Sequence, residues 1–186
     1  MTMPTHTANG TERLIIKLME RRDLESLRTL HNSDDVLLKL SDPAHVSEAQ
    51  QEAWFGSAST SKTSRRYVAR LRHDDTVIGM FRIDAIDFVN GNAFVGCDIA
   101  PQFQGQGYAS EFYKYILDYL FGACRLHRVE LVTLEDNARA IKLYTKLGFV
   151  REGARREALF RNGTYKDLIS IPIKVEIKIG ENWGCK

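Results

Sequence analysis

Residues 92–109, NAFVGCDIAPQFQGQGYA, constrain this chain more than any other stretch. Residues 93–100 are apolar and strand-like, and Pro101 stops them. Residues 102–109 then crowd two glycines and three glutamines into one turn. From Tyr108 the pattern becomes helical, with Phe112, Ile116, Tyr119 and Leu120 at helical spacing. A glycine turn between a strand and a helix leaves backbone N–H groups unpaired at the positive end of the helix dipole. Gly105 and Gly107 let the main chain approach an anion with no Cβ in the way, so the turn suits phosphate. A tight turn that binds nothing can carry the same residues, and further features must decide.

The remaining pattern predicts one mixed α/β domain. Residues 13–19 read as a strand, and a helix follows with Leu24, Leu27 and Leu30 inward. Residues 32–46 are irregular. Ser47 and Gln50 form a capping-box pair that opens a second helix through Ala53, Trp54 and Phe55, with a mobile loop expected at 57–64. Residues 66–72 and 76–87 read as a hairpin, and Asn90-Gly91 turns the chain into the opening strand. Residues 128–134 are a strand, 137–147 a helix closed by Gly148, and 149–159 and 165–179 two further strands. Pro172 inside the last strand predicts a bulge or an edge position. The order is β-α-α-β-β-β-α-β-α-β-β, giving a sheet parallel where a helix crosses over and antiparallel where hairpins join strands. A flexible terminus is expected at 1–11, a single domain at 12–180 and a tail at 181–186.

Composition excludes several classes. A formal charge of +2, without basic runs, does not point to a nucleic-acid partner. Cys97, Cys124 and Cys185 have neither disulfide nor metal-ligand spacing, so a reducing cytoplasm and no metal are expected. No secretory signal or bilayer-length apolar run is present, and no membrane partner is expected.

Asn137 and Tyr144 share one helix face with Ile141, about 10 Å apart, at the same end of the sheet as the glycine turn. A long ligand with a phosphate head would reach from one to the other. Here the sequence resembles the GNAT N-acetyltransferase superfamily. Gln102-x-x-Gly105-x-Gly107, overlapped by Gln104-x-x-Gly107-x-Ala109, is similar to its acetyl-CoA motif. Glu135 through Phe149, with Asn137, Tyr144 and Gly148, resembles its second signature. Gly153, Gly163 and Asp167 resemble the closing hairpin of the ribosomal-protein and polyamine acetyltransferase branch.

The resemblance implies the acyl-CoA N-acyltransferase fold, a mostly antiparallel sheet of about seven strands with about four helices. It implies acetyl-CoA as cosubstrate and direct attack on it by a primary amine. Cys97, Asp98 and Ile99 would offer main-chain groups to the pantetheine arm. Gln104, Gly105, Gln106, Gly107, Tyr108 and Ala109 would wrap the pyrophosphate. Asn137 would bond the arm, and Lys142, with Arg139, would meet phosphates. Tyr144 matches the tyrosine that donates a proton to the departing sulfur. Cys97 is expected as a small buried residue, since direct transfer needs no nucleophile. Asp98, Asp84, Asp87 or a water wire would take the amine's proton, with Asp98 more simply read as a hydrogen-bonded structural acid. The acceptor is a small amine, an amino-sugar nucleotide stacked on Trp54 and Phe88, or a protein N-terminus. Acids at Asp34, Asp35, Asp42, Glu48 and Glu52 would attract a polyamine. Polyamine enzymes of the branch, however, place a glutamate where Ala85 stands. The enzyme is expected as a monomer or homo-oligomer. The rival readings are a CoA-binding module without catalysis and a nucleotide-binding oxidoreductase; the latter lacks a third glycine in Gly105-x-Gly107-x-x-Ser110.

Overall fold

The computed structural model describes residues 10–40 and 43–175. Among them a seven-stranded sheet runs in the order β1-β2-β3-β4-β5-β7-β6. β1 (Leu14–Leu18), β2 (Arg65–Leu71), β3 (Val77–Asp87) and β4 (Asn92–Ile99) each lie antiparallel to the next. β5 (Arg128–Leu134) is parallel to β4, and β7 (Thr164–Lys174) lies antiparallel between β5 and β6 (Gly153–Arg161). The flanking helices are α1 (Leu24–His31), α2 (Asp34–Leu37), α3 (Glu48–Thr60), α4 (Tyr108–Asp118) and α5 (Ala138–Lys146). None is long and apolar enough to cross a membrane.

Each face of the sheet buries a different set of helices. On one, Phe112, Tyr113, Ile116 and Leu120 pack against Phe81, Ile83, Val129 and Leu131. The Phe81 ring lies 5.3 Å from Phe112 and 4.7 Å from Tyr113. On the other, Leu24 and Leu27 of α1 and Trp54 and Phe55 of α3 cover Val68 and Met80. Strand alternation therefore sends Phe81 toward α4 and Met80 and Arg82 toward α1 and α3. That parity decides which side chains meet at the site.

Four expectations need correction. α3 continues through Thr60, so the first half of the supposed loop at 57–64 is helix. Burial of Trp54, Phe55 and Ala58 carries the helix past weak formers such as Gly56 and Ser57. The irregular 32–46 stretch contains α2, whose Val36 and Leu37 pack with Leu30, Leu40 and Ala100. β6 begins at Gly153 because Phe149 is used to close α5. β7 is an interior strand and passes Pro172 without a register shift against β5. The Pro172 carbonyl accepts from Val150, so its missing N–H falls just before β6 begins.

Gly10 bridges to Ile15, and Thr11 is buried with its carbonyl accepting from Arg72. Residues 1–9, Asp42, the continuation of β7 to 179, Cys185 and the expected tail lie outside the described residues.

Candidate active site

β4 and β5 are neighbours only at their starts. They pair at Asn92/Arg128, Ala93/Val129 and Phe94/Glu130 and then part, although β4 runs to Ile99 and β5 to Leu134. Main-chain groups on the facing edges beyond that point have no ladder partner. A cleft of about 380 Å³ opens there, between the glycine turn, the start of α4 and the length of α5. Because it passes through the sheet, it is lined from both faces.

The turn at its mouth has the geometry expected of it. Gly105 and Gly107 hold φ of 80° and 86°, a left-handed region costly for residues with a Cβ. A Cβ at Gly105 would meet only open space, so the turn stands clear of other atoms. The Gln104 amide donates to the Ile99 carbonyl at 2.6 Å and accepts from Arg139 at 2.6 Å. Gln106 donates to the Gln102 carbonyl. Both side chains are thus occupied inside the protein, and what the turn offers an anion is its main chain. Of the residues expected to hold the cosubstrate or protonate its sulfur, Cys97, Asp98, Ile99, Gln104, Gly105, Gly107, Tyr108, Ala109, Asn137, Lys142 and Tyr144 line the cleft and Gln106 does not. Arg139, expected on a phosphate, lines the cleft and ties α5 to the turn through Gln104.

Asn137 is the N-cap of α5, its side-chain oxygen accepting from the Ala140 N–H at 3.2 Å. The other end of α5 fixes Tyr144. Gly148, at φ 93°, donates to Thr145, and Phe149 donates to the Tyr144 carbonyl. This closing motif locks the backbone of the last turn. The Tyr144 ring lies edge-on to Tyr113 at 5.6 Å and tilted on Phe149 at 5.8 Å. Burial is the main cause that pushes its hydroxyl up to about 12, with the neighbouring Tyr113 acting in the opposite sense. Tyr144 is therefore a neutral hydrogen-bond donor at every pH of interest. Burial likewise pushes the Cys97 thiol well up, which suits the expected small inert residue rather than a nucleophile.

Asp98 departs from the reading as a structural acid. Among the described residues nothing hydrogen-bonds to its carboxylate, which faces the cleft. Burial raises its pKa, and Arg82 and His31 oppose that rise. A carboxyl whose folded pKa exceeds the unfolded value binds more protons when folded, so stability falls as pH rises between the two. Asp98→Asn should therefore melt at a higher temperature than the parent at pH 7. The gain should shrink as pH falls toward the ordinary carboxyl value of 3.8. A neutral-pH melting point no higher than the parent's, read by calorimetry, would mean that Asp98 is well partnered.

The other acids go elsewhere. Asp84 pairs with Arg66 at 2.6 Å, and Asp87 accepts from Val89 and Asn90 in a hairpin turn that lowers its pKa. Asp35 lines the cleft, whereas Glu52 pairs with Arg21. Trp54 packs in the α1–α3 cluster beneath Arg66, and Phe88 stands on an exposed hairpin; neither lines the cleft, so neither stacks a base there. Among the described residues no three His, Cys, Asp or Glu side chains gather to hold a metal.

Three residues at the site went unnoticed in the sequence. Arg13 braces the turn by bonding the Gln106 carbonyl at 3.2 Å, lying over Tyr108 and pairing with Glu111. The Tyr113 hydroxyl is buried beside the cleft without a hydrogen bond, close to Tyr144 but out of bonding geometry with it. Arg82 reaches the cleft from the α1–α3 face. Tyr113 alone had a local signal, one step from Phe112 on the inward stripe of α4.

The sequence matches the family model for the acetyltransferase (GNAT) domain over residues 13–150. Spermidine N(1)-acetyltransferase of Vibrio cholerae is 29% identical over 155 residues, 83% of this chain and 89% of that protein. The L-amino acid N-acetyltransferase AaaT of Escherichia coli K12 is 28% identical over 156 residues, covering 83% and 93%. The crystal structure of the Vibrio cholerae spermidine enzyme with CoA and spermine superposes with a TM-score of 0.83 at 28% identity, covering 88% of this chain and 96% of that one. The chain belongs to the GNAT acetyltransferase family and is an acetyl-CoA-dependent N-acetyltransferase.

Proposed function

We propose that the cleft binds acetyl-CoA with its pyrophosphate on the Gly105–Gly107 turn and its pantetheine arm between the parted strands, and that a primary amine attacks the acetyl carbonyl directly. The observation that carries this reading is the parting of β4 from β5 beside that turn, with Tyr144 buried at the cleft. Unpaired main-chain groups of β4 are what an amide-bearing arm needs, and one N–H there suits the carbonyl oxygen as it gathers charge. The amine's proton passes to Asp98, a cleft carboxylate on the parted strand β4 that nothing hydrogen-bonds among the described residues. The C–N bond forms, the C–S bond breaks, and the sulfur leaves toward the Tyr144 hydroxyl.

The height of the Tyr144 pKa refines its role. Full transfer from a hydroxyl at about 12 to an ordinary thiolate is uphill by about 3 units. The hydroxyl therefore acts chiefly by donating a hydrogen bond to the charged sulfur, and solvent can complete protonation afterward. The relatives of similar identity act on a polyamine and on amino acids, so identity does not choose the acceptor. An amine panel with detection of released thiol tests the reading; CoA binding with no amine turned over would leave a binding module.

Asn137 provides a second test. Its oxygen caps α5, leaving the amide N–H free for the ligand. Asn137→Ser keeps a capping oxygen and loses the amide, so it should fold as the parent does while CoA affinity drops about 5- to 10-fold. Asn137→Ala should lose that affinity and also about 1 kcal/mol of stability. Full CoA affinity in the serine variant, measured by titration calorimetry, would reduce Asn137 to a helix cap.

A further inference from the structure

We infer that the acceptor amine carries its own anionic group, and that Arg82 is the residue that reads it. This rests on the amine-acetylation reading above and narrows its substrate class. Arg82 stands on β3 opposite Gly96 of β4, with Asp98 the diagonal neighbour on the same face. Both side chains line the cleft where the strands part.

The guanidinium is half-buried, and among the described residues no carboxylate pairs with it and nothing hydrogen-bonds to it. Asp84, two residues along the same face, is already taken by Arg66. A partly desolvated guanidinium without a partner is costly to keep, and its planar fork fits a carboxylate or phosphate in two parallel bonds. Gly96 makes room for it. A Cβ there would come within 2.4 Å of the Arg82 Nε, so the arginine lies across the space that a side chain would fill.

Asp98 and Arg82 thus present opposite charges side by side, each without a bonded partner. A zwitterion satisfies both: its ammonium goes to Asp98, which takes the proton, and its oxyanion goes to Arg82. A polycation satisfies only Asp98 and sets a positive charge against Arg82, a like-charge contact that disfavours binding. Lys39 at the cleft rim adds to that bias, and Asp35 beside it offsets it.

The experiment uses matched acceptors with the wild-type protein: a set of α-amino acids each against its own α-amide, an aminoalkyl phosphate against its amino alcohol, and spermidine. Discrimination of 10-fold or more in kcat/KM toward the charged member of either pair supports the inference and says which oxyanion is read. Arg82→Gln should then raise KM for that acceptor about 10- to 100-fold. It should leave acetyl-CoA affinity unchanged and act much less on KM for the uncharged counterpart, which feels only the change at Asp98, with Arg82→Lys restoring part of the loss. Gly96→Ala, which displaces the guanidinium without removing its charge, should show the same selective loss. Equal use of both members of each pair, or preference for spermidine, overturns the inference and leaves amine acetylation standing. Turnover of no amine at all overturns both.

Discussion

Tyr144→Phe should fold, bind acetyl-CoA as the parent does, and transfer acetyl groups about 10²–10³-fold more slowly, the worth of one donor aimed at a developing anion. The substitution is a clean one here. The ring contacts with Tyr113 and Phe149 survive, because phenylalanine fills the same space. The lost hydroxyl has one other beside it, that of Tyr113, which is already buried without a hydrogen bond in good geometry, so apo stability should move by no more than about 1 kcal/mol. The hydroxyl matters only once the sulfur carries charge, so kcat should fall while acetyl-CoA affinity stays. The pH profile adds a second check. With the Tyr144 pKa at about 12, its donor form persists to strongly alkaline pH, so the ratio of parent to variant rates should be flat from pH 7 to pH 10. A ratio that collapses within that range would mean that a different group titrates there and that Tyr144 is not the donor. Unchanged single-turnover rates would make Tyr144 a packing residue.

What could be read from the sequence is what is encoded locally. The apolar strand, the glycine turn and the inward stripe of α4 occupy one continuous run, and each step has its own residue signal. Gly148 announces the end of α5, and it is this closure that aims Tyr144. The capping box at Ser47 and Gln50 forms as its spacing requires. What could not be read depends on register between strands. Arg82 lies in an ordinary alternating strand, and only its pairing with Gly96 and the diversion of Asp84 to Arg66 make it available. Arg13 braces a turn more than ninety residues away, through a carbonyl that sequence patterns cannot register. The parting of β4 and β5 has no residue signature either; β5 alternates through Val129, Leu131 and Thr133 as a fully paired strand would. Asp98 shows the same limit from the other side. A carboxylate inside an apolar strand is most simply a hydrogen-bonded one, and only the opened sheet leaves it free.

Gly107→Asp should abolish detectable acetyl-CoA binding, a loss on the order of 10²-fold or more, while the protein stays folded. Two effects on stability run against each other. Gly107 sits at φ 86°, where a Cβ costs about 1–2 kcal/mol, although aspartate tolerates the left-handed region better than most residues. Against that, Gly107 is the residue preceding the first turn of α4, where aspartate is among the preferred caps and its charge faces the positive end of the dipole. Arg13 also approaches, its Nη2 3.5 Å from where the new Cβ would stand. The carboxylate therefore has partners in the empty protein, and those partners are the donors that a pyrophosphate would use. Binding then has to displace a built-in anion and place two negative groups together, which the turn cannot offset. Gly107→Ala separates charge from shape. It carries the left-handed strain without the anion, so it should lose some stability and only part of the affinity. If titration calorimetry returns the parent's affinity for CoA with Gly107→Asp, the phosphate lies elsewhere. If alanine and aspartate weaken binding equally, backbone geometry rather than an anion site explains the two glycines.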